Sequence, residues 1–121
     1  MTKTILTIDD SRTMRELLRS ALDSAGFNVI QAEDGLHGLE VLGASEPDAI
    51  ITDINMPRMN GLEFIEAVRE DAAKRAIPII VLTTESDAAK KDRARRAGAT
   101  GWIVKPFDPV RLVSAINRVV A

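Results

Sequence analysis

The chain of 121 residues is the size of one domain and long enough to hide ~65% of its unfolded surface. Its net charge of -2 gives no reason to expect non-specific binding to nucleic acid or membrane surfaces, and no apolar run approaches the ~20 residues of a membrane span. The absence of cysteine excludes disulfides and thiolate metal sites, a single histidine (His37) supplies histidine triads or zinc sites poorly, and MTKTILTIDD has no signal-peptide pattern, so a reducing cytoplasm is the expected setting.

The first apolar run, Thr4-Ile5-Leu6-Thr7-Ile8, reads as a strand and is followed at once by Asp9-Asp10. Met14, Leu17, Leu18, Ala21 and Leu22 then share one helical face, which Gly26 ends. A second short strand, Asn28-Val29-Ile30, runs into Gln31-Ala32-Glu33-Asp34. Leu36, Leu39 and Leu42 mark a second helix, on which His37 is expected to be exposed and away from the acids. The third run, Ala49-Ile50-Ile51-Thr52, ends on the lone acid Asp53, and a turn through Met56-Pro57 follows. Asn60, with Glu63 three residues on, predicts a capped third helix that turns Phe64, Ile65 and Val68 inward. Pro78-Ile79-Ile80-Val81-Leu82 is the fourth strand, with Thr83-Thr84 behind it, and residues 87–97 form a fourth helix closed by Gly98. Trp102-Ile103-Val104 is the fifth strand and leads into Lys105-Pro106. Asp108 caps the last helix, with Pro109 at its first position and Leu112, Val113, Ile116 and Val119 facing inward.

Most of these apolar runs lack polar alternation, so both faces of the sheet should be covered, as in parallel sheets. Strand and helix alternate five times, which predicts an α/β fold with an open, doubly wound, five-stranded parallel sheet of flavodoxin-like type. No linker or repeat interrupts the chain, so residues 1–121 are expected to be one domain with no second domain after it.

Ligands on such sheets sit beyond the carboxyl ends of the strands, where the strand order reverses. Strand one ends in Asp9-Asp10, strand three in Asp53, strand four in Thr83-Thr84 and strand five in Lys105-Pro106. Strand two has no comparable punctuation and belongs at the far edge, in agreement with the order 2-1-3-4-5. Each polar residue has a plainer use. Asp10 or Ser11 can cap the first helix, Thr83 the fourth (where Ser86 or Asp87 is better placed), and Lys105 can be a solvated lysine. Their convergence at one end of one sheet favours a site. Two unit charges 4 Å apart interact by ~4 kcal/mol at an effective dielectric of 20, so three clustered carboxylates are not relieved by one lysine. A divalent cation is the natural remedy, and all-oxygen donors point to Mg²⁺, or Mn²⁺ in its place. Mg²⁺ prefers a ligand set completed by phosphate oxygens, so the site suits a phosphoryl group.

Asp9-Asp10, Asp53, Thr83 and Lys105-Pro106 together resemble the receiver domain of two-component response regulators, and DINMPRMNG is especially similar to the single-domain chemotaxis regulators of that family. The resemblance spans essentially the whole chain. It implies that Asp53 is the phosphoacceptor, and that Asp9, Asp10, Asp53 and the main-chain carbonyl of Asn55 hold the metal. Thr83 would hydrogen-bond the phosphoryl oxygen, Lys105 would pair with Asp53 or with the phosphoryl group, and the Lys105–Pro106 peptide would be cis. Trp102 would occupy the aromatic switch position, where Tyr, Phe or His is usual, and Asn55 and Glu85 would tune the access of hydrolytic water. The implied donor is a sensor histidine kinase of the chemotaxis type or its phosphotransfer domain. The implied outputs are binding to a flagellar switch protein or service as a phosphate sink. The basic residues Lys90, Lys91, Arg93, Arg95 and Arg96 would offer a face to an acidic partner, or simply be solvated. Two other doubly wound classes fit less well. A dehalogenase-type phosphatase needs a second acid two residues after its nucleophile, where this chain has the amide of Asn55. The flavodoxin phosphate loop is rich in Ser, Thr and Gly, whereas DDSRT carries two acids and no glycine.

Overall fold

The computed structural model describes residues 2–121. Five strands, β1 (Thr4–Ile8), β2 (Asn28–Ala32), β3 (Ala49–Thr52), β4 (Ile79–Thr83) and β5 (Gly101–Val104), alternate with five helices. These are α1 (Arg12–Ser24), α2 (Gly35–Gly43), α3 (Gly61–Glu70), α4 (Ala88–Ala97) and α5 (Pro109–Val120), and a single 3₁₀ turn, Ala72–Lys74, follows α3. The sheet is wholly parallel, in the order β2-β1-β3-β4-β5.

Side chains alternate between the faces of a strand, and that alternation divides the interior in two. Leu6, Ile8, Ile50, Ile79 and Val81 project to one face and pack under Leu42, Leu62, Phe64, Ile65, Val68 and Ala94 of α2, α3 and α4. Ile5, Ile51, Ile80 and Leu82 project to the other and meet Leu18, Leu22, Leu112 and Ile116 of α1 and α5. Burial on both faces explains why the central strands read as unbroken apolar runs.

Helix boundaries follow local chemistry. Ser11, Asp34, Asn60, Asp87 and Asp108 cap the five helices through side-chain oxygens that accept from main-chain N–H groups. Asn60 and Glu63 form the reciprocal capping box. Ser11 takes the cap of α1, and so leaves Asp10 free of that duty, while Asp87 caps α4.

Several expectations need correction. β4 begins at Ile79, because Pro78 has no N–H for the ladder, and it runs through Thr83, which is the last strand residue. β2 continues to Ala32. Leu17 is 52% exposed, since Leu18 and Leu22 alone face the sheet fully. Leu36 is also exposed, because α2 turns Gly35, Gly38 and Leu42 inward. Val113 and Val119 are half-buried at the margin of the core. His37 is half-buried rather than exposed, and its Nδ1 accepts from the Glu33 N–H at 3.1 Å.

Candidate functional site

The carboxyl ends of β1, β3, β4 and β5 lie side by side, and each delivers a polar residue to one place. Asp9 leaves β1 with its N–H bonded to the Ala32 carbonyl at 3.2 Å. Its Oδ1 accepts from the Ser11 N–H at 2.9 Å, and its own carbonyl accepts from Arg15 Nη1 at 2.7 Å. Asp53 leaves β3 with its N–H on the Ile8 carbonyl at 3.0 Å, and its Oδ1 accepts from the Ile54 N–H at 2.6 Å. Thr83 ends β4 wholly buried, with Oγ1 accepting from the Glu85 N–H at 3.2 Å. Lys105 follows β5, its N–H bonded to the Thr83 carbonyl at 2.8 Å and its peptide to Pro106 cis.

Lys105 reaches across the sheet end. Its Nζ donates to Asp9 Oδ2 at 2.7 Å and to Asp53 Oδ2 at 2.9 Å, and all three side chains are nearly excluded from solvent. Burial pushes the ammonium's pKa down, but the hydrogen bonds to Asp9 and Asp53 outweigh it and hold Lys105 above its ordinary value. Burial pushes the Asp9 carboxyl up, against the opposing hydrogen bonds from Lys105 and Ser11. Asp10 lies exposed at the rim. One carboxylate oxygen from each of Asp9, Asp10 and Asp53 lies within 4.8 Å of the others.

Three acids cluster where one ammonium bonds only two of them, so a second cation would be favoured, and a donor set made only of oxygen suits a hard one such as Mg²⁺. The residues present therefore fit the metal that the strand-end acids suggested. The structure brings Asp9, Asp10, Asp53 and Lys105 together and puts Thr83 at the adjoining strand end. Asn55 is exposed on the loop after Asp53. Glu85 is held on the loop after β4, its Oε2 paired with Lys90 Nζ at 3.1 Å and its Oε1 accepting from the Asp87 N–H at 3.2 Å. Trp102, half-buried on β5, is in register with Val81 and packs on the core under α4.

Three nearby residues escaped the sequence reading. Arg15 anchors the Asp9 main chain from α1. Gly61, the first residue of α3, is buried against the Asp53 carbonyl. Asp34 is 3% exposed and receives a two-pronged hydrogen bond from Arg58. The only visible signal for Asp34 was its position ahead of a helix, which marks a cap and says nothing of a distant arginine.

Residues 5–117 match the family described as the response regulator receiver domain. The chain belongs to that family. Among receiver proteins it is 43% identical over 107 residues to chemotaxis protein CheY1 of Helicobacter pylori strain 26695, which covers 87% of this chain and 86% of the relative. It is 35% identical over 116 residues to chemotaxis protein CheY-3 of Vibrio cholerae, covering 95% of this chain and 89% of that protein. The structure of the V. cholerae chemotaxis response regulator CheY4 superposes with a TM-score of 0.92 at 40% identity, over 98% of this chain and 99% of the other. The five-stranded sheet with its 2-1-3-4-5 order is thus the receiver fold.

Proposed function

We propose that this receiver domain is a phosphorylation-activated switch in chemotaxis signalling, with Asp53 as the residue that takes the phosphoryl group. The observation that carries this reading is the bridge of Lys105 between Asp9 and Asp53, inside a cluster of three carboxylates at the sheet's carboxyl end. A lone pair on an Asp53 carboxylate oxygen attacks the phosphorus of a phosphohistidine on a sensor kinase of the chemotaxis type or its phosphotransfer domain. The new P–O bond forms as the P–N bond breaks, and the electron pair stays on the departing imidazole. Lys105 holds the acceptor carboxylate in place and meets the charge on the incoming oxygens. Asp9, Asp10, Asp53 and the Asn55 carbonyl would hold Mg²⁺, which when bound neutralises charge on the transferring group. Thr83 Oγ1, now held by the Glu85 N–H, is the hydroxyl available to a phosphoryl oxygen.

The amide of Asn55 argues against rapid hydrolysis, because it cannot serve as the acid–base partner a phosphatase needs. The acyl phosphate therefore persists long enough to signal. The two relatives compared by sequence are chemotaxis proteins covered over 86% and 89% of their length, which supports a receiver domain that acts in chemotaxis through its partners. No helix among the described residues is long and apolar enough to cross a membrane. A flagellar switch protein is the favoured target. A phosphate-sink role is the second reading, and the pairing of Lys90 with Glu85 and of Arg95 and Arg96 with Asp92 favours it, since those cations are partly satisfied within the chain.

The test is acetyl phosphate with Mg²⁺, read by intact-protein and peptide mass spectrometry. A single phosphoryl adduct on Asp53, absent in Asp53→Asn, is expected; an unmodified protein, or an adduct that survives the substitution, rejects the reading. A pull-down of the phosphorylated form against a flagellar switch protein, beside an assay of return transfer to the kinase, separates target binding from the sink.

A further inference from the structure

The loop between β3 and α3 carries Asn55, and one exposed residue in it has an uncommon backbone. Arg58 has φ of +63°, the sole positive φ among non-glycine residues described. The Met59 N–H returns to the Pro57 carbonyl at 2.7 Å, which closes a three-residue turn with Arg58 at its centre. A turn of this kind persists where its surroundings hold it. Here the support is the N-terminus of α2. Arg58 Nε and Nη2 donate to Asp34 Oδ2 and Oδ1 at 2.7 and 3.0 Å. Asp34 is itself fixed, since its Oδ1 also accepts from the His37 N–H at 2.9 Å. Beside it the Gly35 N–H donates to the Met59 carbonyl at 3.1 Å. A Cβ on Gly35 would fall 2.6 Å from that same carbonyl oxygen, so the two chains are as close as main chain allows. The loop is thus pinned at Met59 by main chain and at Arg58 by a planar fork, while its other end is tied by the Ile54 N–H to Asp53 Oδ1.

We infer that the Arg58–Asp34 fork is a positioning device for the cation site: it fixes the β3–α3 loop that carries Asn55, whose carbonyl would join Asp9, Asp10 and Asp53 in holding the ion. The inference rests on the function proposed above. A guanidinium is suited to the task, because its fork fixes direction as well as distance, which an ammonium does not. Arg58 itself is half open to solvent, so its loss leaves the core untouched.

The experiment is isothermal titration calorimetry with Mg²⁺ alone on wild type, Arg58→Ala, Arg58→Gly and Arg58→Lys, with circular dichroism to establish folding. Loss of a group bonded directly to a metal ligand weakens binding by about 10–100-fold; Arg58 acts one step further out, through the loop, so a weakening of up to about tenfold is the expected size. That weakening is expected in Arg58→Ala and in Arg58→Gly, with partial recovery in Arg58→Lys. The glycine variant removes any backbone strain at position 58, so an equal loss there assigns the effect to the fork. In acetyl phosphate assays the Mg²⁺ needed for half-maximal uptake should rise while the plateau at saturating Mg²⁺ returns to the wild-type level. Wild-type Mg²⁺ affinity in both the alanine and glycine variants overturns the positioning role and leaves the proposed function standing. No Mg²⁺ binding by the wild type overturns both.

Discussion

Gly61 sits against the main-chain carbonyl of Asp53, so closely that a Cβ there would lie 2.0 Å from that oxygen and 2.9 Å from the Ile54 Cα. The Gly61 N–H also donates to the Ile54 carbonyl at 2.8 Å, and the β3–α3 loop closes on itself at that point. The backbone of the candidate acceptor and the start of α3 are therefore one packed unit.

Gly61→Ala is expected to destabilise the fold by about 1–3 kcal/mol, the usual range for forced overpacking, because the clash is with backbone that has nowhere to move. Urea unfolding gives the stability change. Phosphoryl uptake, measured where the variant is still fully folded, should fall as well, because relief of the clash moves Asp53. A variant with wild-type uptake and wild-type stability would show that the glycine is incidental.

The acid cluster sets function against stability. Asp53→Asn removes one of three negative charges from the site but also weakens a charge-assisted hydrogen bond to Lys105. With one ammonium for three acids, relief of repulsion should dominate, and the variant should gain about 1 kcal/mol in metal-free buffer. Mg²⁺ at a hundred times its dissociation constant should stabilise the wild type by about 2.7 kcal/mol. The asparagine variant should gain much less. Thermal melts with and without Mg²⁺ decide it, and equal responses in the two proteins would remove the metal site from consideration.

Much of this site was legible from residue order alone, for a reason that is specific to parallel sheets. Asp9, Asp53 and Lys105 are far apart in sequence but each follows the last residue of a strand, and parallel strands put all those ends on one edge. The capping of α3 and α5 was equally legible, since Asn60 with Glu63 and Asp108 with Pro109 act within a single turn. What escaped depends on loops meeting loops. The Asp34–Arg58 fork joins residues 24 apart across two connections, with no periodicity to announce it. Arg69 is another such case: its guanidinium donates to the carbonyls of Gly98, Lys74 and Arg75 and ties the ends of α3 and α4 together. The exposure of Leu17 and Leu36 was missed because helical spacing marks a stripe without saying how wide a strip the sheet covers.

Acid and alkali should act on different ion pairs. The Arg58 hydrogen bonds hold the Asp34 carboxyl below its ordinary value of 3.8, against the opposing effect of burial. A depressed carboxylate stabilises the fold above the unfolded value, and that contribution is lost as pH falls through the folded one. Arg58→Ala should thus be less stable than wild type near neutrality, with the gap closing below pH 3.8. Lys105 lies above 10.5, so its contribution is full below that pH and disappears as pH rises through the folded value. Urea midpoints measured across pH report both. A gap between Arg58→Ala and wild type that stays constant into strong acid would contradict the first assignment.

Trp102 is the chain's one tryptophan, so its fluorescence reports on β5 without interference. It pairs in register with Val81, two residues before Thr83 on β4. Thr83 Oγ1 accepts from the Glu85 N–H and keeps its own O–H to donate, so on the proposed function a phosphoryl oxygen would draw it toward the site and alter the packing beside the indole. Acetyl phosphate with Mg²⁺ should therefore change the emission intensity of the wild type. Thr83→Ala should accept phosphate yet show a much smaller change. An unchanged spectrum in fully phosphorylated wild type would separate Trp102 from the switch.

The lifetime of the phosphoprotein should depend on how the loop after β4 is held. Glu85 is the residue two positions after Thr83, and its carboxylate is fixed by Lys90 on one oxygen and the Asp87 N–H on the other. If Asp53 carries the phosphoryl group as proposed, a side chain fixed on this loop would limit the paths by which water reaches phosphorus in line with the bond to Asp53. Glu85→Ala opens such a path and should shorten the lifetime several-fold. Lys90→Ala keeps the carboxylate but frees it to swing, so a smaller shortening is expected, and uptake should be unchanged because Lys90 lies on α4, outside the acid cluster. Asn55→Arg adds bulk on the loop after Asp53 and should lengthen it. Decay of radiolabelled phosphoprotein, expected over seconds to minutes for the wild type, measures all four proteins in one assay. Decay over hours in the wild type, or equal rates in Glu85→Ala and Asn55→Arg, would mean that water access is governed elsewhere.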